Sequence, residues 1–227
     1  MGENGSMRKI FVDLEMQPIH DKSKRRICRS EVIEIGAVML DDSGKETDSF
    51  KQYVKPVYSD RLSNKISDLT GITDGKLSGA RHFEEVAEEF ASWCLQYGQD
   101  IEIYAWSESD LTQIQSEINL KQIQPSSKLS YLFEHWNDFQ QEYGELIGAV
   151  DPQGLDHALS ISGISFSGKM HDALYDARNT ASLYKVTRNR DEYLMVLSQI
   201  KDETDTAISG ICIADLINLD VLKQAIA

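Results

Sequence analysis

The chain has 227 residues, 41% apolar and 26% charged, the ordinary balance of one globular domain with a sizeable core. No apolar run approaches the roughly 18 residues of a membrane-spanning helix, and the widely spaced Cys28, Cys94 and Cys212 make neither a disulfide framework nor a zinc motif; a reduced, cytoplasmic protein is expected. The net charge of −14 repels phosphate, so an anionic partner requires a bound cation or a local basic patch.

Residues 1–7 are polar and lack the apolar region of a secretory leader, so they are read as a disordered natural leader or an added tag. Lys9-Ile10-Phe11-Val12-Asp13-Leu14-Glu15-Met16 then reads as a strand. Residues two apart on a strand share a face, so Asp13 and Glu15 project together. Adjacent carboxylates repel unless a proton or cation lies between them, and hard oxygens suit Mg²⁺ or Mn²⁺. A D-x-E pair at a strand end is also consistent with a solvated edge. The segment 17–30 breaks the apolar pattern and holds Lys22, Lys24, Arg25, Arg26 and Arg29. Placed beside the acidic pair, it reads as a phosphate-contacting arm or as a plain charged loop.

Val32–Leu40 is a β-branched run expected to form a buried strand, with a hairpin partner over about 45–54. Glu34, inside that strand, is expected to face solvent. A short helix ends at Gly71 within Leu69-Thr70-Gly71-Ile72. Phe83, Val86, Ala87, Phe90, Trp93, Cys94 and Tyr97 recur at helical spacing, with Glu84, Glu85, Glu88 and Glu89 on the solvated face. Ile101–Trp106 reads as a fourth strand, and Ser107 is expected to cap the helix that follows. Asp110 then lies in a first helical turn at a strand's carboxyl end, where open α/β sheets bind ligands, or there complements the helix dipole.

The aromatic stretch 129–143 is expected to pack in the core, with Leu132, Trp136 and Phe139 on a helix face; the fifth strand is placed within 129–151. A short helix ends at Gly163, and a longer one runs from Asp172 with small contacts at Ala173, Ala177 and Ala181. His171 precedes it on a glycine-containing loop, and Asp176 lies just over a turn in. Residues 208–217 read as a strand or a packed helix.

In order, these give D-x-E, then D, then H-x₄-D: Asp13, Glu15, Asp110, His171 and Asp176. The pattern resembles the DEDDh exonucleases of the RNase T and proofreading 3′–5′ exonuclease superfamily, over roughly residues 8–190. Glu31–Val38, Leu69–Ile72 and His171–Ala181 are similar to family segments. Trp106-Ser107-Glu108-Ser109-Asp110 departs from the common middle motif and resembles the W-G-x-x-D form of the histone-mRNA and RNA-interference exonucleases and their bacterial sporulation-inhibitor relatives. The resemblance implies an RNase H-like α/β fold, a mixed five-stranded sheet flanked by helices, with residues 191–227 as an extension packed on the domain or trailing it.

It also implies a two-metal mechanism, with divalent Mg²⁺ or Mn²⁺ ions about 4 Å apart at the scissile phosphate. Asp13 would bridge both ions, Glu15 and Asp176 would hold one, and Asp110 would support the other. His171 would be the general base, a role an imidazole can fill near neutral pH. Asp172 falls off the family pattern. Leu14 and Met16 would flank the terminal nucleotide, with Leu69 and Thr70 opposite, and Arg25 and Arg26 would contact the backbone. The implied reaction removes nucleoside 5′-monophosphates from the 3′ end of single-stranded RNA or DNA. The alternatives are a non-catalytic module of this fold that binds nucleic acid or protein, and a phosphodiesterase of short oligonucleotides. No membrane partner is expected; the oligomeric state is left open, a homodimer among the options.

Overall fold

The computed structural model describes residues 7–207 of the chain. The first strand, β1 (Arg8–Pro18), lies in mid-sheet, because its residues are apolar toward both layers. Ile10, Val12 and Leu14 join the main core on one face, while Phe11 is buried on the other. Three residues of a 3₁₀ turn, Lys24–Arg26, form within the basic loop. Next come β2 (Ser30–Leu40) and β3 (Glu46–Lys55), so that β1, β2 and β3 form an antiparallel meander. The β1–β2 register slips between Glu15 and Met16: Glu15 faces Glu34 but Met16 faces Val32, leaving Ile33 as the extra residue. This bulge adjoins the acidic pair, a common place for one.

Helix α1 (Asn64–Thr70) is capped by the Ser63 hydroxyl and stopped by Gly71 at φ 72°, a left-handed position glycine takes without steric penalty. A second short helix, α2 (Asp74–Ser78), follows a Thr73 cap. Two residues, Arg81–His82, form an edge strand β4 parallel to β3. This strand was not legible in the sequence and makes the sheet six-stranded rather than five-stranded. The amphipathic helix α3 (Phe83–Cys94) lays Phe83, Val86, Ala87, Phe90 and Cys94 on the core face of the sheet.

β5 (Ile101–Ala105) pairs parallel with β1, and helix α4 (Ser109–Lys121) follows. Helix α5 (Ser127–Glu134) packs Leu129 and Leu132 into the same core. Strand β6 (Trp136–Asp138) pairs parallel with β5 and gives the sheet order β4-β3-β2-β1-β5-β6. Trp136 therefore sits on a strand, not on the helix face its spacing suggested.

The described residues divide into two compact units. The first contains the sheet and runs through residue 138, resuming over 167–181; the second holds 139–166 and the chain from 182 onward. Four helices build the second: α6 (Phe139–Ile147), α7 (Leu155–Ile161), the last part of α8 (Ala173–Arg188), and α9 (Arg190–Ala207). Its interior is organised by Tyr143, whose hydroxyl lies 2.9 Å from Ser162 Oγ and 3.2 Å from the Ala158 carbonyl. Phe139 packs against Tyr184 with ring centres 5.4 Å apart. No described helix is long and apolar enough to cross a membrane. The expectation for 208–217 lies outside the described residues.

Candidate active site

Asp13 and Glu15 leave β1 on the face that receives the first turns of α8. That face is open to close approach at Gly36, which pairs with Asp13 across the β1–β2 ladder. A Cβ at Gly36 would lie 2.2 Å from the Leu174 nitrogen and 2.3 Å from the Ala173 carbonyl carbon. Backbone thus rests on backbone, and Asp176, one turn along α8, comes to the acidic pair. Ala173, Ala177 and Ala181 are buried here, small residues where a helix lies close on a sheet.

Asp110 arrives from the other side. β5 pairs with β1 as far as Val12 opposite Ala105, and α4 then begins. Beyond that pairing, the Leu14 N–H donates to the Asp110 carboxylate. Asp110 is 5% exposed. The N-cap position of α4 is Glu108, which makes no side-chain cap; Ser107 Oγ accepts the N–H of Ser109, the first residue of the helix, at 3.4 Å and lies 2.5 Å from Ser109 Oγ. Asp138, at the end of β6, accepts from the Glu108 N–H at 3.1 Å and adds negative charge near Asp110.

Four carboxylates converge, and each holds its proton more tightly than usual. Burial pushes Glu15 up to about 8, aided by Asp176, Glu34, Asp172 and Asp110. Burial likewise raises Asp110 and Asp176 to about 7, against hydrogen bonds from backbone N–H groups that favour their charged forms. Asp13 is raised well above the carboxylate range by burial and by Asp110, Asp176, Glu15 and Glu34. Among the described residues, no lysine or arginine forms an ion pair with any of these four.

His171 completes the group. It is exposed, with a left-handed φ of 60°, and its N–H donates to Asp176 Oδ2 at 3.0 Å. Ligand atoms of Glu15, His171 and Asp176 all lie within 4.8 Å of one another. Carboxylate oxygens with one imidazole, uncompensated by any side-chain cation, suit a hard divalent ion. The acidic cluster thus fits divalent-metal dependence.

The sequence of this chain matches the RNase T exonuclease family over residues 10–184. The chain belongs to that family. It is 29% identical over 227 residues to ERI1 exoribonuclease 2 of Danio rerio, covering 89% of this chain and 40% of that protein. With ERI1 exoribonuclease 2 of Mus musculus it is 30% identical over 238 residues, covering 95% of this chain and 33% of the relative. The chain therefore spans a third to two-fifths of the length of these curated relatives. Among solved structures, the nuclease domain of 3′hExo, a DEDDh family member bound to rAMP, superposes with a TM-score of 0.68 at 20% identity, covering 82% of this chain and 94% of that one. That likeness carries the RNase H-like exonuclease fold.

The remaining site candidates are dispersed in character. Leu14 turns its side chain into the core and lends its N–H to Asp110. Met16 is half-buried against the same core. Leu69 is 40% exposed on α1. Thr70 is buried, its hydroxyl donating to the Ile66 carbonyl at 2.8 Å and accepting from the Ile72 N–H at 3.0 Å. Arg25 and Arg26 are exposed on the 3₁₀ turn.

Glu34 corrects the expectation of a solvent-facing residue. It is 1% exposed, accepts from the Ala173 N–H at 3.3 Å and lies 3.1 Å from Lys51 Nζ. At the bulge, opposite Glu15, it faces the α8 layer. Asp172 also joins this group, 2.5 Å from Lys51. Burial opposes the Lys51 charge, but the Asp172 hydrogen bond and Glu34 outweigh it and raise its pKa.

Proposed function

We propose that this chain is a metal-dependent 3′–5′ exonuclease that hydrolyses the terminal phosphodiester of single-stranded nucleic acid and releases nucleoside 5′-monophosphates. The observation that carries the reading is the convergence of Asp13, Glu15, Asp110 and Asp176, each raised in pKa, with His171 at their edge. Its relatives are named as exoribonucleases, which favours RNA over DNA.

Two divalent ions, Mg²⁺ or Mn²⁺, would be held by Asp13, Glu15, Asp110 and Asp176. When bound, they supply charge neutralisation at the phosphate and a more acidic attacking water. The protein's own part is positional. Asp13 feels the charges of Asp110, Asp176 and Glu15 together. The Leu14 N–H keeps Asp110 aimed inward. His171, with its ring beside Glu15 and Asp176, accepts the proton of the attacking water. Leu14, Met16, Leu69 and Thr70 border the terminal nucleotide in this reading, and Arg25 and Arg26 meet the strand's backbone. The buried thiols Cys28 and Cys94 agree with a reducing, cytoplasmic setting.

The test is a time course on 5′-labelled single-stranded RNA and matched DNA with Mg²⁺ or Mn²⁺. Stepwise shortening from the 3′ end is expected, lost in Asp13→Ala. Absence of cleavage in the metal-loaded wild type would sink the reading in favour of a binding module.

A further inference from the structure

Beside the four acids lies a half-buried ion cluster that the reaction does not use directly. Lys51 stands on β3 opposite Gly36, the residue on which α8 rests. Its Nζ is 2.5 Å from Asp172 Oδ2 and 3.1 Å from Glu34 Oε1. Glu34 uses its other oxygen to accept the Ala173 N–H at 3.3 Å. Asp172 Oδ1 is buried with no hydrogen-bond partner among the described residues, so the Lys51 ammonium carries the compensation of that carboxylate.

Asp172 and Ala173 directly follow His171. His171 holds a left-handed backbone, a conformation that persists in a non-glycine residue where its surroundings over-determine it. Two contacts fix the same loop elsewhere. The Asn179 side chain binds both the N–H and the carbonyl of Ser167, each at 2.9 Å. The His171 N–H donates to Asp176. The Lys51–Asp172 pair holds the residue that directly follows His171, tying it to β3.

We propose that Lys51 is a positioning residue for His171. It anchors Asp172, and through Asp172 the left-handed turn that stands the imidazole beside Glu15 and Asp176. Without the ammonium, Asp172 and Glu34 repel each other at the mouth of α8 and the turn at His171 is released. The role given to His171 rests on the exonuclease reading above; the clamp itself rests on geometry.

The experiment uses the full chain with Lys51→Met, Lys51→Arg and Asp172→Asn. It reads kcat and KM on a 5′-labelled single strand with Mg²⁺, melting temperature, and the His171 imidazole NMR signal, assigned by its loss in His171→Gln. Lys51→Met is expected to lower kcat about tenfold or more, the usual scale for losing a group that orients a metal-site residue, with KM little changed. Its His171 signal broadens or splits. Lys51→Arg restores most of kcat and a single sharp signal, because the cation is kept. Asp172→Asn behaves like Lys51→Met and takes its place if the methionine variant does not fold. A wild-type kcat and an unaltered His171 signal in the methionine variant overturn the proposal. So does an equal loss in Met and Arg variants that tracks melting temperature alone. If the wild type shortens no strand while the His171 signal still depends on Lys51, the exonuclease reading falls and the clamp stands.

Discussion

Gly36 and Ala173 are in backbone contact: a Cβ on Gly36 would sit 2.3 Å from the Ala173 carbonyl carbon and 2.7 Å from its oxygen. Neither neighbour is the far end of a flexible side chain, so the clash has no cheap relief. Gly36→Ala must push the first turn of α8 off the sheet, and Asp176 and His171 move with it. Overpacking of this kind is expected to destabilise the fold by about 1–3 kcal/mol. Nuclease activity should fall much further than stability, because Asp13 and Asp176 separate. Urea unfolding alongside single-turnover cleavage checks both. A variant that cleaves at the wild-type rate refutes the claim that this contact sets the site.

The four raised carboxylates make metal-free stability fall as pH rises. The sign follows from proton linkage. Unfolded carboxylates titrate near about 4, whereas folded Asp110 and Asp176 hold protons to about 7 and Glu15 to about 8. Their stabilising contribution is complete below the unfolded range, declines as pH rises above it, and is lost once pH has climbed through about 7 to 8. Melting in EDTA should therefore drop between pH 6 and pH 9. Mg²⁺ or Mn²⁺ should offset the drop, more strongly at the higher pH, since the ion displaces protons. An EDTA melting temperature that rises across that window contradicts the assignment.

Much of this was legible in the residues, for stated physical reasons. The period-2 run of β1 placed Asp13 and Glu15 on one face, and the 3.6-residue period of 83–94 defined α3. Glu34 was misread because its strand is apolar on both sides; a lone acid there looks like an outward residue until α8 is known to cover it. The edge strand β4 has two residues and no pattern to find. Trp136 fitted a helical spacing, yet tertiary pairing with Ile103 decided for a strand. The Lys51–Asp172 pair joins residues 121 positions apart, a separation that periodicity does not reach.

A second ion cluster, this one buried, ties the loop after β3 to the sheet. Glu31 is fully buried and accepts the Val57 and Tyr58 N–H groups at 2.6 and 2.8 Å. Glu117, equally buried, accepts the Val32 N–H at 2.8 Å. Lys121 joins them, 2.6 Å from Glu117 and 3.3 Å from Glu31. Lys121→Met leaves two buried acids without their cation and is expected to cost about 3–5 kcal/mol. Since Lys121 touches none of the four site acids, cleavage well below the melting transition should stay near wild type. Denaturant unfolding and a low-temperature assay separate the two effects.

The basic 3₁₀ turn bears on the proposed function, because so acidic a chain needs a local basic patch to hold a polyanion. Arg25 and Arg26 are exposed there, and the adjoining Lys24 ammonium lies over the Tyr58 ring at 5.1 Å, which fixes the arm against the loop held by Glu31. Among the described residues neither guanidinium forms an ion pair, so both are available on this turn for the proposed phosphate contact. Each single-strand phosphate contact contributes about 0.7 to the slope of log affinity against log salt. Replacing Arg25 and Arg26 by Ala is therefore expected to weaken binding at low salt and to flatten that slope by about 1 to 1.5. The measurement is fluorescence anisotropy on a labelled single strand at several salt concentrations, in an Asp13→Asn background that prevents cleavage. Because the arm lies outside the acidic cluster, the loss should shrink as salt increases and the two proteins converge. A loss that is constant across salt points to a fold defect, and unchanged binding removes the arm from the substrate path.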